Sequence, residues 1–266
     1  MATKTFEHEN KQIAYDDVGS GPLVVGVPSM GDLRQEYRFL ARQLAEAGYR
    51  VVSMDVRGHG ETATGWNDYS VAGIGADILA LIRCLNAGPA IIVGTSMAAG
   101  AAVWAAAEAP ELVRGIALIG PFVRGDGAPL LQLLFRVMFA RPWGPAMWAR
   151  YYRTLYPTRK PADFDEYVAA LRDNLKQPGR LEALQKMLDA PKRASEERTP
   201  RVTAPALVLM GSKDPDFKQP EAEAQWVAQA LRTTYTLIDG AGHYPHAEMP
   251  DVTGPLILSF LKSLEQ

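Results

Sequence analysis

The chain contains a single cysteine, Cys84, among its 266 residues. One cysteine cannot form a disulfide within the chain, so the fold does not need an oxidising compartment. A reducing cytoplasm is therefore the expected location, and Cys84 is expected to be a buried thiol of the core. The first ten residues are polar, which gives no sign of a secretory signal peptide.

An excess of one charge and long hydrophobic runs are also lacking. The formal net charge is −2, from 28 basic and 30 acidic residues, and no basic stripe indicates a nucleic-acid partner. The most apolar helix candidate, residues 129–140, is too short to span a bilayer, which argues against a membrane partner. Metal-ligand spacings and glycine-rich phosphate loops are missing too. We therefore expect no metal, no cofactor, and a small-molecule substrate as the partner of a monomer or homodimer.

Apolar residues make up 47% of the chain, enough for a sizeable core. Eight short apolar or β-branched runs predict strands, and the first two are expected to form a hairpin. From the third onward, strands alternate with helix-like stretches, which is typical of a mostly parallel sheet with helices on both faces. The predicted strands are Thr5–His8, Gln12–Asp16, Leu23–Val27, Arg50–Met54, Ala90–Val93, Gly115–Ile119, Ala206–Met210 and Thr234–Ile238.

One interval interrupts this alternation. Roughly 85 residues separate the sixth predicted strand from the seventh, far more than an ordinary connection needs. The interval contains apolar residues at helical spacing, such as Tyr167, Leu171 and Leu175, with prolines between the stripes. We interpret it as about four helices. The predicted organisation is a core domain of residues 1–121 and 202–266, with a helical subdomain of residues 122–201 inserted into it.

A serine, Ser96, follows the fifth predicted strand within the stretch GTSMA at 94–98, which leads into an alanine-rich helix. This arrangement mounts a nucleophilic serine on a sharp turn between a strand and a helix. The positions two before and two after it, Gly94 and Ala98, must be small, because the turn brings their Cβ atoms against the backbone. The helix start beneath the hydroxyl favours developing negative charge. Taken alone, the stretch also fits an ordinary β–α turn.

Two further residues favour the catalytic interpretation. Asp214 follows the seventh predicted strand and His243 the eighth, so a serine, an acid and a histidine each come at the end of a strand. This order is the one expected of an α/β-hydrolase. Four stretches are similar to parts of that family: the strand that leads to the oxyanion loop, the turn after the next strand, the acid loop and the histidine loop. They are Leu23–Pro28, Asp55–Gly60, Asp214–Phe217 and Gly242–His246. The chain resembles α/β-hydrolases nearly from end to end, and small bacterial esterase-like members with a serine nucleophile most of all.

The resemblance implies the α/β-hydrolase fold, an eight-stranded, mostly parallel sheet flanked by helices, with the inserted helices as a cap over the active site. It implies a triad with Ser96 as nucleophile, His243 as base, and Asp214 as the acid that orients the imidazole. Asp216, two residues away, is the alternative acid. His246 is the alternative histidine, for which we expect a loop-shaping role.

The family stabilises an oxyanion with two backbone N–H groups. The residue after the nucleophile, Met97, is expected to supply one of them, and the loop after the third strand the other. Many members have His-Gly and an apolar residue in that loop, where this chain has VPSM at 27–30. Pro28 has no N–H to donate. Ser29 is therefore the expected second donor, with Met30 as the alternative.

The cap is expected to set specificity by placing a few aromatic side chains over Ser96. The expected activity is carboxylesterase cleavage of small to medium apolar or aromatic esters through an acyl-enzyme. The alternatives are another reaction of the same triad (C–C bond hydrolysis, perhydrolysis or cleavage of a hydroxynitrile) or a ligand-binding receptor on the same scaffold. The expected substrate-binding residues are Met30, Phe135, Trp143, Trp148 and Tyr244.

Overall fold

The computed structural model describes residues 3–125 and 129–265, with the backbone alone for residues 129–132. The strands are β1 (Lys4–His8), β2 (Lys11–Val18), β3 (Leu23–Val27), β4 (Arg50–Met54), β5 (Ala90–Thr95), β6 (Val113–Ile119), β7 (Ala206–Gly211) and β8 (Tyr235–Ile238). They form one eight-stranded sheet in the order β1-β2-β4-β3-β5-β6-β7-β8. The predicted eight-stranded, mostly parallel sheet is confirmed.

The sheet changes from antiparallel to parallel at β4. β1 pairs with β2, and β2 with β4, in the antiparallel sense, whereas the pairings from β4 through to β8 are parallel. The turn between β1 and β2 holds Glu9 at φ 49° and Asn10 at φ 59°. Two central residues with positive φ are what a tight type I′ hairpin turn requires. The parallel strands need longer crossovers, which helices provide.

Helices flank the sheet on both faces. They are α1 (Arg38–Glu46), α2 (Val71–Leu85), α3 (Met97–Glu108), α4 (Pro129–Met138), α5 (Gly144–Thr154), α6 (Phe164–Lys176), α7 (Arg180–Asp189), α8 (Arg193–Glu196), α9 (Pro220–Ala230), α10 (Pro245–Glu248) and α11 (Pro250–Ser263). Short 3-10 helices span Arg34–Tyr37, Pro110–Leu112 and Thr199–Arg201. Among the described residues, no helix is both long and apolar enough to cross a membrane.

Alternate residues of the central strands enter two separate cores. Val25 and Ile92 pack with α2 and α3 on one face, while Val24 and Ile91 pack with α1 and α11 on the other. This follows from the two-residue repeat of a strand, which turns successive side chains to opposite faces. All residues of β3 and β5 are buried, so neither strand shows the apolar–polar alternation of a sheet with one wet face.

Cys84 corrects one expectation. It lies near the end of α2 and is exposed, not buried in the core. α2 buries Ile78, Leu81 and Ile82, whereas Cys84 lies in the last turn of the helix, beside the exposed residue Arg83. Because Leu81, three positions earlier, is buried, periodicity alone would not have predicted this exposure.

The chain between β6 and β7 is helical, as the sequence predicts. It contains α4 to α8, and four of these helices have ten or more residues. Residues 126–128, which belong to the predicted cap, lie outside the described residues. We refer to residues 122–201 as the helical insertion; their separation from the core as a distinct subdomain stays a prediction.

The helical insertion is bonded to the loop after β3. Tyr152 of α5 donates to the buried carboxylate of Asp32 at 2.8 Å, and the Tyr167 hydroxyl of α6 donates to the same group. Trp148 of α5 donates from its indole Nε1 to the Gly31 carbonyl oxygen at 3.0 Å. Because these groups are buried, the bonds have no competition from water and fix the insertion against the end of β3.

Candidate active site

Ser96 sits at a strained turn between β5 and α3. Its backbone has φ 58° and ψ −120°, a combination that non-glycine residues rarely adopt and that persists only when neighbouring structure enforces it. The enforcing contacts come from the end of β6 and beyond. The Ser96 N–H donates to the Ile119 carbonyl oxygen at 2.8 Å, and the Ser96 carbonyl accepts from the Phe122 N–H at 3.1 Å.

Gly94 is required by the same turn. A Cβ at this position would lie 2.5 Å from the Ala98 carbonyl oxygen and 2.9 Å from the Ala99 nitrogen. Both are backbone atoms, so α3 itself would have to move to accept any side chain. The small residues around Ser96 therefore reflect the close approach of β5 and α3, and they bring the Ser96 hydroxyl to the N-terminus of the helix.

His243 and Asp214 form a buried pair beside this turn. His243 follows β8 and Asp214 follows β7, and the imidazole Nδ1 lies 2.7 Å from Asp214 Oδ2. The His243 N–H donates to the Leu155 carbonyl at 3.0 Å, so the end of α5 also positions the histidine. Asp216 does not contact Nδ1; its N–H instead donates to Asp214 Oδ1 at 3.0 Å. Of the two candidate acids, Asp214 therefore orients the ring.

The second nitrogen of the His243 ring faces the cavity that Ser96 also lines. Nε2 is buried and has no hydrogen-bond partner among the residues described, Ser96 included. The nearest acidic atom is Asp216 Oδ2, at 3.7 Å. Asp216 is held there by the Tyr151 hydroxyl of α5, which donates to its other oxygen. The imidazole thus lies between two carboxylates, one on each side.

These carboxylates determine the charge of His243. Burial on its own would lower the pKa of the imidazole, but Asp214, Asp216 and the hydrogen bond to Asp214 outweigh it and raise the pKa to about 9. Burial has the opposite effect on Asp216, whose pKa it raises above the usual range of an aspartate. At neutral pH the protonated imidazolium is therefore the favoured resting form of His243.

The loop after β3 corrects the predicted oxyanion donor. The Ser29 N–H donates to Glu36 Oε2 at 2.9 Å, so it is already engaged and does not face an oxyanion. The alternative, Met30, lies one residue further on and lines the cavity with Ser96. Within the described chain, neither the Met30 N–H nor the Met97 N–H donates to another group, as expected for Met97 at the first position of a helix. These two amides are the available pair.

His59 is hydrogen-bonded to the same loop, which follows β3. Its Nε2 accepts from the Gly31 N–H at 3.0 Å, and its Nδ1 lies 2.9 Å from the Arg57 carbonyl oxygen. Burial lowers the pKa of His59 to about 4. The ring is therefore neutral at neutral pH, with the proton on Nδ1. Its role is structural: it holds the loop through hydrogen bonds and does not act as a base.

Glu36 is a residue that the sequence analysis missed. It lies in the 3-10 helix Arg34–Tyr37, fully buried, with Oε1 3.0 Å from His246 Nε2 and Oε2 on the Ser29 amide. Burial raises the pKa of Glu36 to about 7 and lowers that of His246 to about 3. Glu36 therefore holds the loop that carries Met30 and lies against His246 of α10, the helix that follows His243. A glutamate in a charged stretch gives no sequence signal of such burial.

A cavity of about 670 Å³ opens over Ser96. Four of the five expected substrate-binding residues line it: Met30, Phe135, Trp148 and Tyr244. Trp143 does not. It is 51% exposed, and its indole N–H donates to the Val137 carbonyl oxygen at the end of α4. Trp143 is the residue immediately before α5 and points away from the cavity. Trp148 lies within α5 and lines the cavity.

Two phenylalanines outside the inserted helices complete the apolar wall. Phe122 follows β6 and Phe217 follows β7, and their rings stack with centroids 4.4 Å apart. Both residues lie at carboxyl ends of strands, which is the position where sequence reasoning could have found them. Charged groups also line the cavity: besides Asp216 and His243, Arg124 binds Glu223 at 2.8 Å and Lys218 is exposed.

Asp214, Asp216 and His243 also come within 4.8 Å of one another. Among the residues that the structure describes, a metal on Nε2 would find Asp216 as its one neighbouring carboxylate, because Asp214 is on the Nδ1 side of the ring. Protein zinc sites use three or four ligands. The donor set does not fit a metal, and we assign none of the three as a metal ligand.

This geometry agrees with comparisons to known proteins. Residues 22–250 match the α/β hydrolase fold family. The chain belongs to this family. Among curated proteins, the α/β-hydrolase is similar to YfhM of Bacillus subtilis (strain 168), an AB hydrolase superfamily protein, at 26% identity over 261 residues and 91% of each chain.

Solved structures share the fold of this α/β-hydrolase. A thermophilic esterase from Thermogutta terrifontis matches with a TM-score of 0.82 at 21% identity, over 100% of both chains. The enol-lactonase from Burkholderia xenovorans LB400 matches with a TM-score of 0.83 at 23% identity, over 97% of this chain and 100% of that one. At these identities the likeness establishes the fold alone.

The bond between Glu36 and Ser29 can be tested by stability. Glu36→Leu leaves the buried Ser29 N–H without an acceptor, so we expect the free energy of unfolding in urea to fall by about 1–3 kcal/mol. Glu36→Gln is the matched control, because its amide oxygen can still accept from Ser29, and its loss should stay below about 1 kcal/mol. Equal losses in the two variants would show that this bond does not hold the loop.

Proposed function

We propose that this α/β-hydrolase is a serine hydrolase that cleaves carboxylic esters through a Ser96–His243–Asp214 triad. The observation that carries the proposal is the convergence of three strand ends on one cavity: the strained turn of β5 presents Ser96, while the loops after β7 and β8 present the bonded pair Asp214 and His243. A serine hydroxyl needs a neighbouring base to attack a carbonyl at neutral pH, and His243 is the base available in this cavity.

In the acylation step, Ser96 Oγ attacks the carbonyl carbon of the ester and its proton passes to His243 Nε2. Asp214 keeps the proton of Nδ1 in place and stabilises the imidazolium that forms. The negative charge on the former carbonyl oxygen is stabilised by the N–H groups of Met97 and Met30. Collapse of the tetrahedral intermediate breaks the bond to the alcohol oxygen, which leaves with the proton from Nε2.

Deacylation repeats the sequence with water. A water molecule attacks the acyl carbon of the Ser96 ester and gives one proton to His243 Nε2. The second tetrahedral intermediate collapses, the Ser96 oxygen leaves and takes that proton back, and the carboxylic acid departs. No group besides the triad and the two amides is needed for the balance of atoms and protons.

The cavity supports apolar or aromatic esters of small to medium size. Its volume of about 670 Å³ falls in the range of ligand pockets, roughly 300–1,000 Å³. Aromatic and aliphatic side chains dominate the wall, with Trp148 and Phe135 contributed by the helical insertion, which we propose acts as a cap that sets specificity. The likeness to an enol-lactonase fold adds cyclic esters to the substrates worth assaying.

The role of Ser96 predicts both labelling and turnover. A fluorophosphonate should modify Ser96, and Ser96→Ala should abolish labelling and lower kcat for p-nitrophenyl esters by about 10⁴-fold or more. Mass mapping of the labelled peptide and steady-state kinetics measure the two effects. Undiminished turnover by Ser96→Ala would rule out the triad.

Ser195→Ala is the matched control for that experiment. Ser195 is a buried serine in α8 outside the cavity lining, and its hydroxyl has no hydrogen-bond partner among the residues described. This variant should keep labelling and turnover, with an unfolding transition like that of Ser96→Ala.

Labelling of Ser96 without hydrolysis of any ester in the panel would support an activated serine but contradict esterase activity. The next candidates would be C–C bond hydrolysis, perhydrolysis, cleavage of a hydroxynitrile, or a receptor role.

The pKa of His243 predicts an alkaline pH profile. Below its pKa the imidazole carries a proton on Nε2 and cannot accept one from Ser96, so kcat/KM should rise with pH. Because Asp214 and Asp216 raise that pKa to about 9, the midpoint should fall near pH 9 and not near 6.5. Ester hydrolysis between pH 6 and 10, corrected for spontaneous hydrolysis, measures it. A plateau already reached at pH 7 would contradict the predicted charge on His243.

A further inference from the structure

Two carboxylates bracket the imidazole of His243, and the proposed mechanism uses one of them. Asp214 contacts Nδ1 at 2.7 Å and orients the ring. Asp216 Oδ2 lies 3.7 Å from Nε2, the nitrogen that must accept the proton of Ser96. This distance is too long for a hydrogen bond but short for two charges, and the intervening space is inside the protein.

The position of Asp216 is built by the fold. Its N–H donates to Asp214 Oδ1 at 3.0 Å, which ties it to the same turn after β7. Its side chain is 15% exposed, and Oδ1 accepts from the Tyr151 hydroxyl of α5. The side chain of a surface aspartate would point into solvent. The Asp216 carboxylate is instead held near His243 Nε2 by Tyr151 of the helical insertion.

We propose that Asp216 is a positioning residue for His243, held by Tyr151, that stabilises the imidazolium at Nε2 and so sets the pH range over which the histidine can act as a base. The effect on activity rests on the proposed function, whereas the effect on the imidazole itself does not. The helical insertion thereby contributes to the acid–base chemistry of the core, in addition to lining the cavity.

The other ionisable groups near His243 cannot replace Asp216. Asp214 acts at the opposite nitrogen, and Glu36 acts on the imidazole from a buried position on the other side of the loop. Burial keeps His246 neutral, and it raises the pKa values of Tyr151 and Tyr244 so that both phenols stay protonated. In the part of the chain that the structure describes, the remaining charges of the cavity wall are the Arg124–Glu223 pair, Lys192 and Lys218.

The sign of the effect follows from these charges. An ionised Asp216 favours the charged form of His243, so removing its charge should lower the imidazole pKa. The Tyr151 hydroxyl stabilises the ionised form of Asp216. Tyr151→Phe should therefore let Asp216 take up a proton more readily and lower the His243 pKa in the same direction, by a smaller amount.

The first test measures the imidazole directly by NMR of ¹⁵N-histidine-labelled protein. The chain has four histidines, and the signal lost in His243→Asn identifies His243. In Asp216→Asn the titration midpoint of this signal should fall by about 1–3 pH units. Asp216→Glu keeps the negative charge, so its titration midpoint should stay close to that of the unmodified protein. The backbone amide spectrum checks that each variant is folded.

Glu223→Gln is the matched control for the loss of one carboxylate. Glu223 lines the same cavity, where it binds Arg124 at 2.8 Å, but it is not among the carboxylates that shift the pKa of His243, which are Asp214, Asp216 and Glu36. Its removal should therefore move the His243 midpoint by less than about 0.3 pH units. A midpoint shift in Glu223→Gln as large as that in Asp216→Asn would overturn the proposal. It would show that any carboxylate of the cavity affects His243 equally, whatever its position. An unchanged midpoint in a folded Asp216→Asn variant would overturn it as well.

The second test uses the pH profile of ester hydrolysis. The acid limb of kcat/KM should move to lower pH in Asp216→Asn by the amount measured by NMR. If the imidazole shifts but no variant hydrolyses an ester, the role of Asp216 stands and the esterase proposal fails. If esters are hydrolysed and neither the imidazole nor the profile shifts, the esterase proposal stands and the role of Asp216 fails.

Discussion

The backbone of Ser96 is the constraint on which the site depends. A non-glycine residue at φ 58° and ψ −120° is strained by about 1–3 kcal/mol, and it would relax if the chain around it were free. Pairing of β5 with β6 prevents this, because the amide of Ser96 is bonded to Ile119 at the end of that strand. The sheet thus holds a hydroxyl in a position that local preference would not choose. The strand order, in turn, determines which loops reach it.

Much of the fold follows from the sequence alone. The central strands β3 and β5 are short apolar runs that are buried on both faces. Their boundaries therefore coincide with changes in hydrophobicity that a single sequence shows. Ser96, Asp214 and His243 each follow a strand, and parallel strands end at one edge of the sheet, so their positions in the sequence place all three at that edge. For this reason the location of the site could be predicted without any knowledge of side-chain directions.

The features that escaped prediction depend on which way a side chain or an amide points. Ser29 and Met30 are adjacent, and only the bond from the Ser29 amide to Glu36 decides which of them is free. Trp143 and Trp148 flank the same helix start, yet one faces solvent and the other the cavity. Glu36 and His246 meet from opposite ends of the chain. Such pairings arise from tertiary packing and leave no periodic signal.

The bonds between the helical insertion and the loop after β3 limit how a substrate can reach Ser96. Lifting α5 and α6 from the sheet would break the bonds of Tyr152 and Tyr167 to Asp32, each at a cost of about 1–3 kcal/mol when the partners stay buried. It would also pull on the loop that carries Met30. Of the charged residues that line the cavity, Lys218 is exposed and the Arg124 side chain is 36% exposed, so we expect a molecule to enter past these two residues. Entry of a substrate then requires movement of these two long side chains, and the hydrogen bonds that fix the helical insertion can stay intact.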